Sequence, residues 1–272
     1  MPEKKEIKLE ANYQFMVKCI IAMILLILLQ VEFVIKLSAQ SAEISNLKTG
    51  FGVDSNNIPL SQSQFYFPVE LYRNYKCVKT TIEKPVGWRG KRTAKFLHFY
   101  YDTLAGKTVI DSFALVYQSE KLFELEEPII FNEKYRKECY RFTWLRSFHN
   151  PVVIRIEKVD TFVYIVLKVA NGAGGYQTGK VIKNDTIYLS LKDWISFNNN
   201  INNINYWEMP SLSKEIIFGC DGADWILEGR LKNKYQVVQR WSPTKDREIN
   251  FRNVCEKLIK MSKLNLRKKE IY

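Results

Sequence analysis

Three carboxylates follow Cys220 within eight positions, at Asp221, Asp224 and Glu228. Carboxylates that share a cleft can serve as general acid and general base, and a histidine such as His149 would complete a hydrolytic site. The sequence therefore offers one candidate catalytic set, made of His149, Asp221, Asp224 and Glu228. The sequence near the carboxylates offers no second structural element that would complete such a site.

The elements that must position these carboxylates have a simpler interpretation. Asp224–Glu228 and Tyr235–Trp241 are typical of two strands, and Leu231–Asn233 is typical of a three-residue hairpin loop. This register places Asp224 opposite Arg240, an oppositely charged cross-strand pair worth about 0.2–1 kcal/mol. The pattern favours a structural pair, Asp224 with Arg240, over catalysis.

A second motif, Gly174 to Lys180, matches the spacing of a phosphate-binding loop. It fails at Val181, where such a loop needs Ser or Thr for magnesium, and a strand-like segment follows where a helix is required. We expect the glycines here to supply positive φ in a long turn, and we predict no cofactor. His98 lies in an aromatic strand and is expected to pack there, and no residue spacing predicts a metal site.

Four cysteines lie beyond the N-terminal region. Their even number is compatible with two disulfides in an oxidising compartment, and four buried reduced thiols explain it equally well. A C-x-x-C spacing is absent from the sequence, which disfavours a zinc ribbon. The candidate disulfide cysteines are Cys77, Cys139, Cys220 and Cys255.

An uninterrupted apolar run of 11 residues, Cys19–Leu29, dominates the N-terminus. It is about 17 Å long as a helix, which suits the core of a signal peptide, and small residues follow at Ala39 and Ala42. The alternative is a membrane anchor over residues 17–37, with Glu32 near one edge of the bilayer. Both interpretations predict that the rest of the chain is exported.

The rest of the chain predicts one α+β domain, a mainly antiparallel sheet packed against two or three helices. Ser190 is a candidate N-cap for the first of two amphipathic helices. The domain organisation predicted is a signal peptide or anchor at 1–39, a polar tether at 40–65 and a globular domain at 66–272. The predicted strands are 95–101, 112–117, 128–131, 141–149, 152–158 and 162–169, and the predicted helices are 132–139, 191–203 and 246–264.

The net charge of +12 favours anionic partners. The basic residues are scattered and carry no nucleic-acid signature, so we expect an acidic protein or envelope component and no nucleic acid. These observations predict an exported or membrane-anchored envelope protein that acts as a binding module. The alternative is an envelope hydrolase that uses the carboxylate and histidine set above.

Four segments of the chain carry a family resemblance: Arg141–His149 (RFTWLRSFH), Gly172–Tyr176 (GAGGY), Trp225–Gly229 (WILEG) and Tyr235–Pro243 (YQVVQRWSP). They resemble stretches that recur in an uncharacterised group of bacterial proteins. The similarity covers roughly residues 95–264 and implies a bacterial origin and a single domain, but it contributes no catalytic residue. Together with the predicted export, it implies a place in the bacterial cell envelope, either periplasmic or anchored in the inner membrane.

Overall fold

The computed structural model describes residues 52–68, 76–86, 92–102, 112–132, 134–213, 221–232, 234–266 and 270–272. These residues lie within one compact unit that spans 51–272. The segment predicted as a signal peptide or anchor lies outside the described residues. Of residues 76–86, 92–102 and 112–114 only the backbone is described.

A six-stranded antiparallel sheet forms the centre of the domain, with the order β6-β5-β4-β3-β7-β8. The strand order departs from chain order only where β7 and β8 add beside β3. The strands are β3 (Glu138–Arg146), β4 (Val152–Val159), β5 (Phe162–Ala170), β6 (Val181–Leu189), β7 (Ala223–Leu231) and β8 (Lys234–Trp241). A separate antiparallel hairpin is formed by β1 (Lys76–Val86) and β2 (Arg92–Asp102).

Three α-helices accompany the sheet among the described residues: α1 (Ser112–Glu124), α2 (Leu191–Asn203) and α3 (Ile249–Met261). Phe142 and Trp144 belong to the cluster that packs against α2 and α3, whereas Leu145 packs with α1. Alternate residues of a strand point to opposite faces, so the sheet carries α2 and α3 on one face and α1 on the other. This arrangement confirms an α+β fold with an antiparallel sheet.

Most predicted elements are confirmed, and their residues show why. Ser190 caps α2 through a full capping box, in which its hydroxyl accepts from the Asp193 N–H and the Asp193 carboxylate accepts from the Ser190 N–H. The hairpin of β4 and β5 turns at Asp160, whose φ is 52°. The C-terminal helix is shorter than predicted and runs from Ile249 to Met261.

Three predicted elements are wrong. Ser112–Tyr117 begins helix α1 instead of a strand, because Leu115 and Leu122 recur at helical spacing and face the core. Residues 134–137 lie outside every helix, and Glu138 and Cys139 already belong to β3. Residues 128–131 lie outside every strand.

The described part of the predicted tether, residues 52–65, belongs to the domain. Val53 bridges Pro59, and the Ile129 N–H donates to the Asn57 carbonyl over 2.9 Å. Asn57 is buried and receives a hydrogen bond from Asn132 Nδ2. The globular domain therefore begins before residue 66, because this turn covers the sheet.

The glycines of the 172–179 loop, which were predicted to supply positive φ, mostly have another role. Only Gly179 has positive φ, at 74°. A Cβ at Gly172 would lie 1.9 Å from the Gln177 carbonyl oxygen, and one at Gly174 would lie 2.5 Å from the Arg146 amide nitrogen. Glycine is required mainly because backbone segments approach closely. Strand β6 follows this loop where a phosphate loop needs a helix.

Candidate binding site

Charged residues line the face of the sheet that also packs against α1. The register places Arg141 of β3 opposite Arg155 of β4 on one side and opposite Glu228 of β7 on the other. Glu157 follows two residues after Arg155 on the same face, and Glu127 comes from the segment after α1. We call this side the charged face, defined by Glu127, Arg141, Arg155, Glu157 and Glu228.

Ion pairs and hydrogen bonds join these side chains into one network. Arg141 Nε donates to Glu228 Oε2 over 2.6 Å, and Arg141 Nη1 donates to the Pro128 carbonyl over 2.6 Å. Arg155 pairs with Glu157 over 2.6 Å and also with Glu127. Because Glu127, Arg141 and Glu228 are fully buried, each charge depends on its partners to offset desolvation.

Glu157 is held ionised by its neighbours. Burial alone would raise the pKa of this carboxyl, but the Arg155 guanidinium and hydrogen bonds from Lys137 and Tyr135 bring it down to about 2. The hydrogen bonds are short, at 2.5 Å from the Tyr135 hydroxyl and 2.8 Å from Lys137 Nζ. A carboxylate with such a low pKa is a fixed negative charge at neutral pH.

Glu127 is ionised for the same reason. Burial would raise its pKa, but Arg155, Lys168 and Arg141 together lower it below the usual value. Lys168 Nζ lies 3.3 Å from Glu127 Oε1 and also donates to the carbonyls of Leu125 and Glu126, each over 2.8 Å. Lys168 thereby ties the end of α1 to strand β5.

A cleft of about 480 Å³ opens on the charged face above β4, β5 and β6. Its floor comes from the strands, and its walls come from the 55–58 turn and the segments 126–128 and 134–137. The lining residues are Ser55, Asn56, Asn57, Ile58, Glu126, Pro128, Lys134, Tyr135, Arg136, Lys137, Arg155, Glu157, Val166, Lys168, Asn184 and Thr186.

The lining contains more cations than carboxylates. It contains five cations, Lys134, Arg136, Lys137, Arg155 and Lys168, against two carboxylates, Glu126 and Glu157. Three of the cations are engaged in the network above. Among the described residues, the exposed side chains of Lys134 and Arg136 have no ion-pair partner.

Uncommitted polar groups accompany these two cations. Asn184 and Thr186 are exposed on β6, and Asn56 is exposed on the opposing turn. The described part of the chain supplies no hydrogen-bond partner for these three side chains. The cleft thus combines positive charge with free donors and acceptors, which is the chemistry that holds a small anionic group.

The predicted catalytic set is divided among different places. His149 Nδ1 lies 2.7 Å from the Tyr272 hydroxyl. Glu228 is buried opposite Arg141 of β3. Arg141 lies five residues, or about 17 Å along the strand, before the end of β3 at Arg146, and His149 lies in the turn beyond that end. Asp221 is exposed, and Asp224 Oδ1 accepts a 3.0 Å hydrogen bond from Gln239 on the charged face.

The predicted pair of Asp224 with Arg240 is wrong, because the strand register differs from the predicted one. The hairpin loop has two residues instead of three, because Leu231 pairs with Lys234. Asp224 therefore lies opposite Trp241, and Arg240 points to the other face, where it packs over Phe251 and binds Glu248 over 2.8 Å. A shift of one residue moves every side chain to the opposite face.

Two of the candidate disulfide cysteines are free thiols. Cys139 and Cys255 are fully buried in different clusters. Burial raises the pKa of the Cys139 thiol to about 12, so it behaves as an inert apolar group. Cys220 and the side chain of Cys77 lie outside the described residues.

Two features are absent from the described residues. These residues contain no helix that is long and apolar enough to span a bilayer. They also contain no group of three or more His, Cys, Asp or Glu side chains placed to hold a metal ion.

Comparison with known proteins gives no relative. No protein-family model, curated protein or solved structure matches the chain. The function must therefore be argued from the cleft itself.

Sequence reasoning missed this cleft. Its free cations, Lys134 and Arg136, lie in a segment predicted as a helix, and its opposing wall lies in a segment predicted as a tether. The available signal was the cluster of basic residues at Lys134, Arg136 and Lys137 directly before a strand rich in buried residues.

Proposed function

We propose that this protein is a binding module that holds an anionic group of a cell-envelope component in the cleft on its charged face. The observation that carries the proposal is the lining of five cations against two carboxylates, with Lys134 and Arg136 exposed and unpaired among the described residues. The placement in a bacterial envelope, exported or anchored, is supported by the apolar run Cys19–Leu29.

Binding is favoured over hydrolysis by the state of the carboxylates. A general acid or base needs a pKa near the working pH, whereas the pKa of Glu157 is about 2 and its charge is fixed by Arg155. Glu157 therefore holds its neighbours in place and is not suited to proton transfer. The hydrolase alternative also lacks its histidine, because His149 binds Tyr272 elsewhere.

The network also prepares the site for its ligand. Arg155, Lys137 and Lys168 are locked by hydrogen bonds to carboxylates and carbonyls, so the shape of the floor is fixed before a ligand arrives. Lys134 and Arg136 remain available to close on the anion. Fixed charges with few mobile side chains reduce the entropy lost on binding.

Equilibrium dialysis of radiolabelled inorganic phosphate against the 272-residue chain, in mild detergent, tests the proposal. We expect saturable binding that weakens as sodium chloride is added, because the two free cations are exposed to screening. The double variant Lys134→Ala/Arg136→Ala should lower the affinity by about tenfold or more, since two charge-assisted contacts are lost.

The matched control is Lys192→Ala/Lys260→Ala. It removes the same charge from exposed positions on α2 and α3, the helices of the opposite face. Binding by this control should equal that of the unmodified chain. Equal losses in the two double variants would show that net charge, and not the cleft, attracts phosphate, and the proposal would be refuted.

A further inference from the structure

An exposed row of aromatic rings continues the floor of the cleft along β5 and β6. Tyr188 lies directly opposite Tyr164, with ring centroids 6.4 Å apart. Phe162 lies two residues before Tyr164 and so shares its face of the sheet. The side chains of Tyr188 and Phe162 are 78% and 69% exposed. We call Phe162, Tyr164 and Tyr188 the aromatic platform.

The platform and the cleft form one surface. Thr186, which lines the cleft, precedes Tyr188 by two residues on the same face of β6. Lys137, another lining residue, donates to the Tyr164 hydroxyl over 2.9 Å and lies over its ring. From Asn184 to Tyr188 the surface extends about 13 Å, which is longer than a single sugar ring.

This surface combines aromatic rings, hydrogen-bonding side chains and positive charge. Aromatic faces carry negative electrostatic potential and bind the polarised C–H groups of flat, partly apolar rings. The side chains of Asn184 and Thr186 offer hydrogen bonds to hydroxyl groups beside them. The exposed cations Lys134 and Arg136 line the adjoining cleft. Their two positive charges complement a phosphate, which carries about two negative charges near pH 7.

We propose that the ligand is a phosphorylated saccharide, whose phosphate binds at Lys134 and Arg136 and whose sugar rings stack on the aromatic platform. This inference rests on the proposed function, since it names the anionic ligand that the cleft holds. The juxtaposition of a basic cleft and an exposed aromatic platform on one sheet face carries it.

A single-stranded nucleic acid would also stack on aromatic rings, but the charges around the platform disfavour it. Such a strand carries a phosphate about every 3.4 Å or more and needs a continuing row of free cations. Lys137, the lysine that lies over the Tyr164 ring, is already neutralised by Glu157 over 2.8 Å. Among the described residues that line the cleft, Lys134 and Arg136 are the cations without an ion-pair partner, and two such cations fit a ligand with one charged group.

Competition dialysis against radiolabelled phosphate measures the contribution of the sugar. The probes are inorganic phosphate, maltotriose with a phosphate on its reducing end, unmodified maltotriose and a short oligothymidylate. We expect the phosphorylated trisaccharide to bind about tenfold more tightly than phosphate, because stacking adds to the charged contacts. Maltotriose without phosphate should compete weakly.

Variants of Tyr188 test whether the added affinity for the phosphorylated trisaccharide comes from the aromatic platform. Tyr188→Ala should remove the tenfold gain while phosphate still binds, because Tyr188 lies outside the lining of the cleft. Tyr188→Phe keeps the ring and should keep the gain. The matched control is Ile195→Ala, which truncates a 51% exposed side chain on α2 and should change nothing. Thermal unfolding of each variant verifies that the fold is intact.

The outcomes separate the two proposals. If phosphate binds in the cleft but the phosphorylated trisaccharide binds no more tightly, the saccharide inference is overturned and the binding function stands. Tighter binding of oligothymidylate than of the trisaccharide would overturn it in favour of a nucleic acid. If phosphate fails to bind at all, both proposals fall together.

Discussion

Arg141 and Glu228 lie directly opposite each other on neighbouring antiparallel strands, and Arg141 Nε donates to Glu228 Oε2 over 2.6 Å. Both side chains are fully buried. Glu228, which the sequence offers as a candidate catalytic residue, is therefore committed to a structural ion pair. The charged face consists of such fixed pairs, and the cleft on it is lined by the exposed side chains of Lys134 and Arg136.

Replacing Arg141 by Met should strongly destabilise the domain. The variant leaves Glu228 and Glu127 with one fewer cation in a buried environment, and breaking a buried pair in this way costs about 3–5 kcal/mol. Urea unfolding monitored by tryptophan fluorescence measures the loss. The control is Lys158→Met, which breaks a pair with Glu138 whose side chains are about one quarter exposed and should cost about 1 kcal/mol or less. Equal losses in the two variants would argue against a buried network.

The ionised state of Glu157 predicts how stability depends on pH. Its pKa is about 2 in the folded protein against 4.5 for an ordinary glutamate, so the ionised form favours the fold. This contribution, up to roughly 3 kcal/mol, is fully present above pH 4.5 and is lost as the pH falls towards 2. Unfolding free energies measured from pH 6 to pH 2 should show the loss. In Glu157→Gln the slope in that window should be visibly shallower, and an unchanged slope would contradict the assignment.

A methyl group at Gly174 should be poorly tolerated. The added Cβ would lie 2.5 Å from the Arg146 amide nitrogen and 2.8 Å from its carbonyl oxygen, and backbone atoms cannot move aside cheaply. We expect Gly174→Ala to cost about 1–3 kcal/mol in urea unfolding. Gly52→Ala is the control, because its Cβ would meet only the Gln64 side chain, at 3.2 Å. A neutral Gly174→Ala would show that the loop is not packed as described.

Removing the capping box of helix α2 should lower the stability of the domain by less than the loss expected for Arg141→Met. Ser190→Ala removes the hydroxyl that accepts from the Asp193 N–H, which should cost about 1 kcal/mol. Asn199→Ala, at an exposed position inside the same helix, should be neutral or slightly stabilising because alanine favours helices. Thermal unfolding of both variants measures the difference, and a cap variant as stable as the parent would contradict the role of Ser190.

These elements show which features were predictable from sequence. The cap at Ser190 and the hairpin turn at Asp160 depend on neighbouring residues, so their patterns were sufficient. Helix α1 was mistaken for a strand because the apolar stretch Phe113–Tyr117 has strand-like composition, and only the more distant Leu122 reveals the helical spacing. The hairpin of β7 and β8 was predicted one residue out of register, which put Asp224 and Arg240 on the same face although they lie on opposite faces.

The cleft could not be predicted because its parts are far apart in the sequence. Asn56, Lys134 and Thr186 meet only when the sheet brings three segments together. None of these segments has a spacing that identifies it alone. By contrast, the set of His149, Asp221, Asp224 and Glu228 looked like a site because three members are close in sequence, yet the fold separates them.

The position of a bound anion tests the central claim most directly. Crystals of the protein soaked in tungstate, an electron-dense analogue of phosphate, should show its anomalous density in the cleft on the charged face. We expect oxygen atoms of the anion within about 2.7–3.2 Å of Lys134 Nζ and the Arg136 guanidinium. Density found only at other surfaces, with the cleft empty at saturating tungstate, would contradict an anion-binding role for this face.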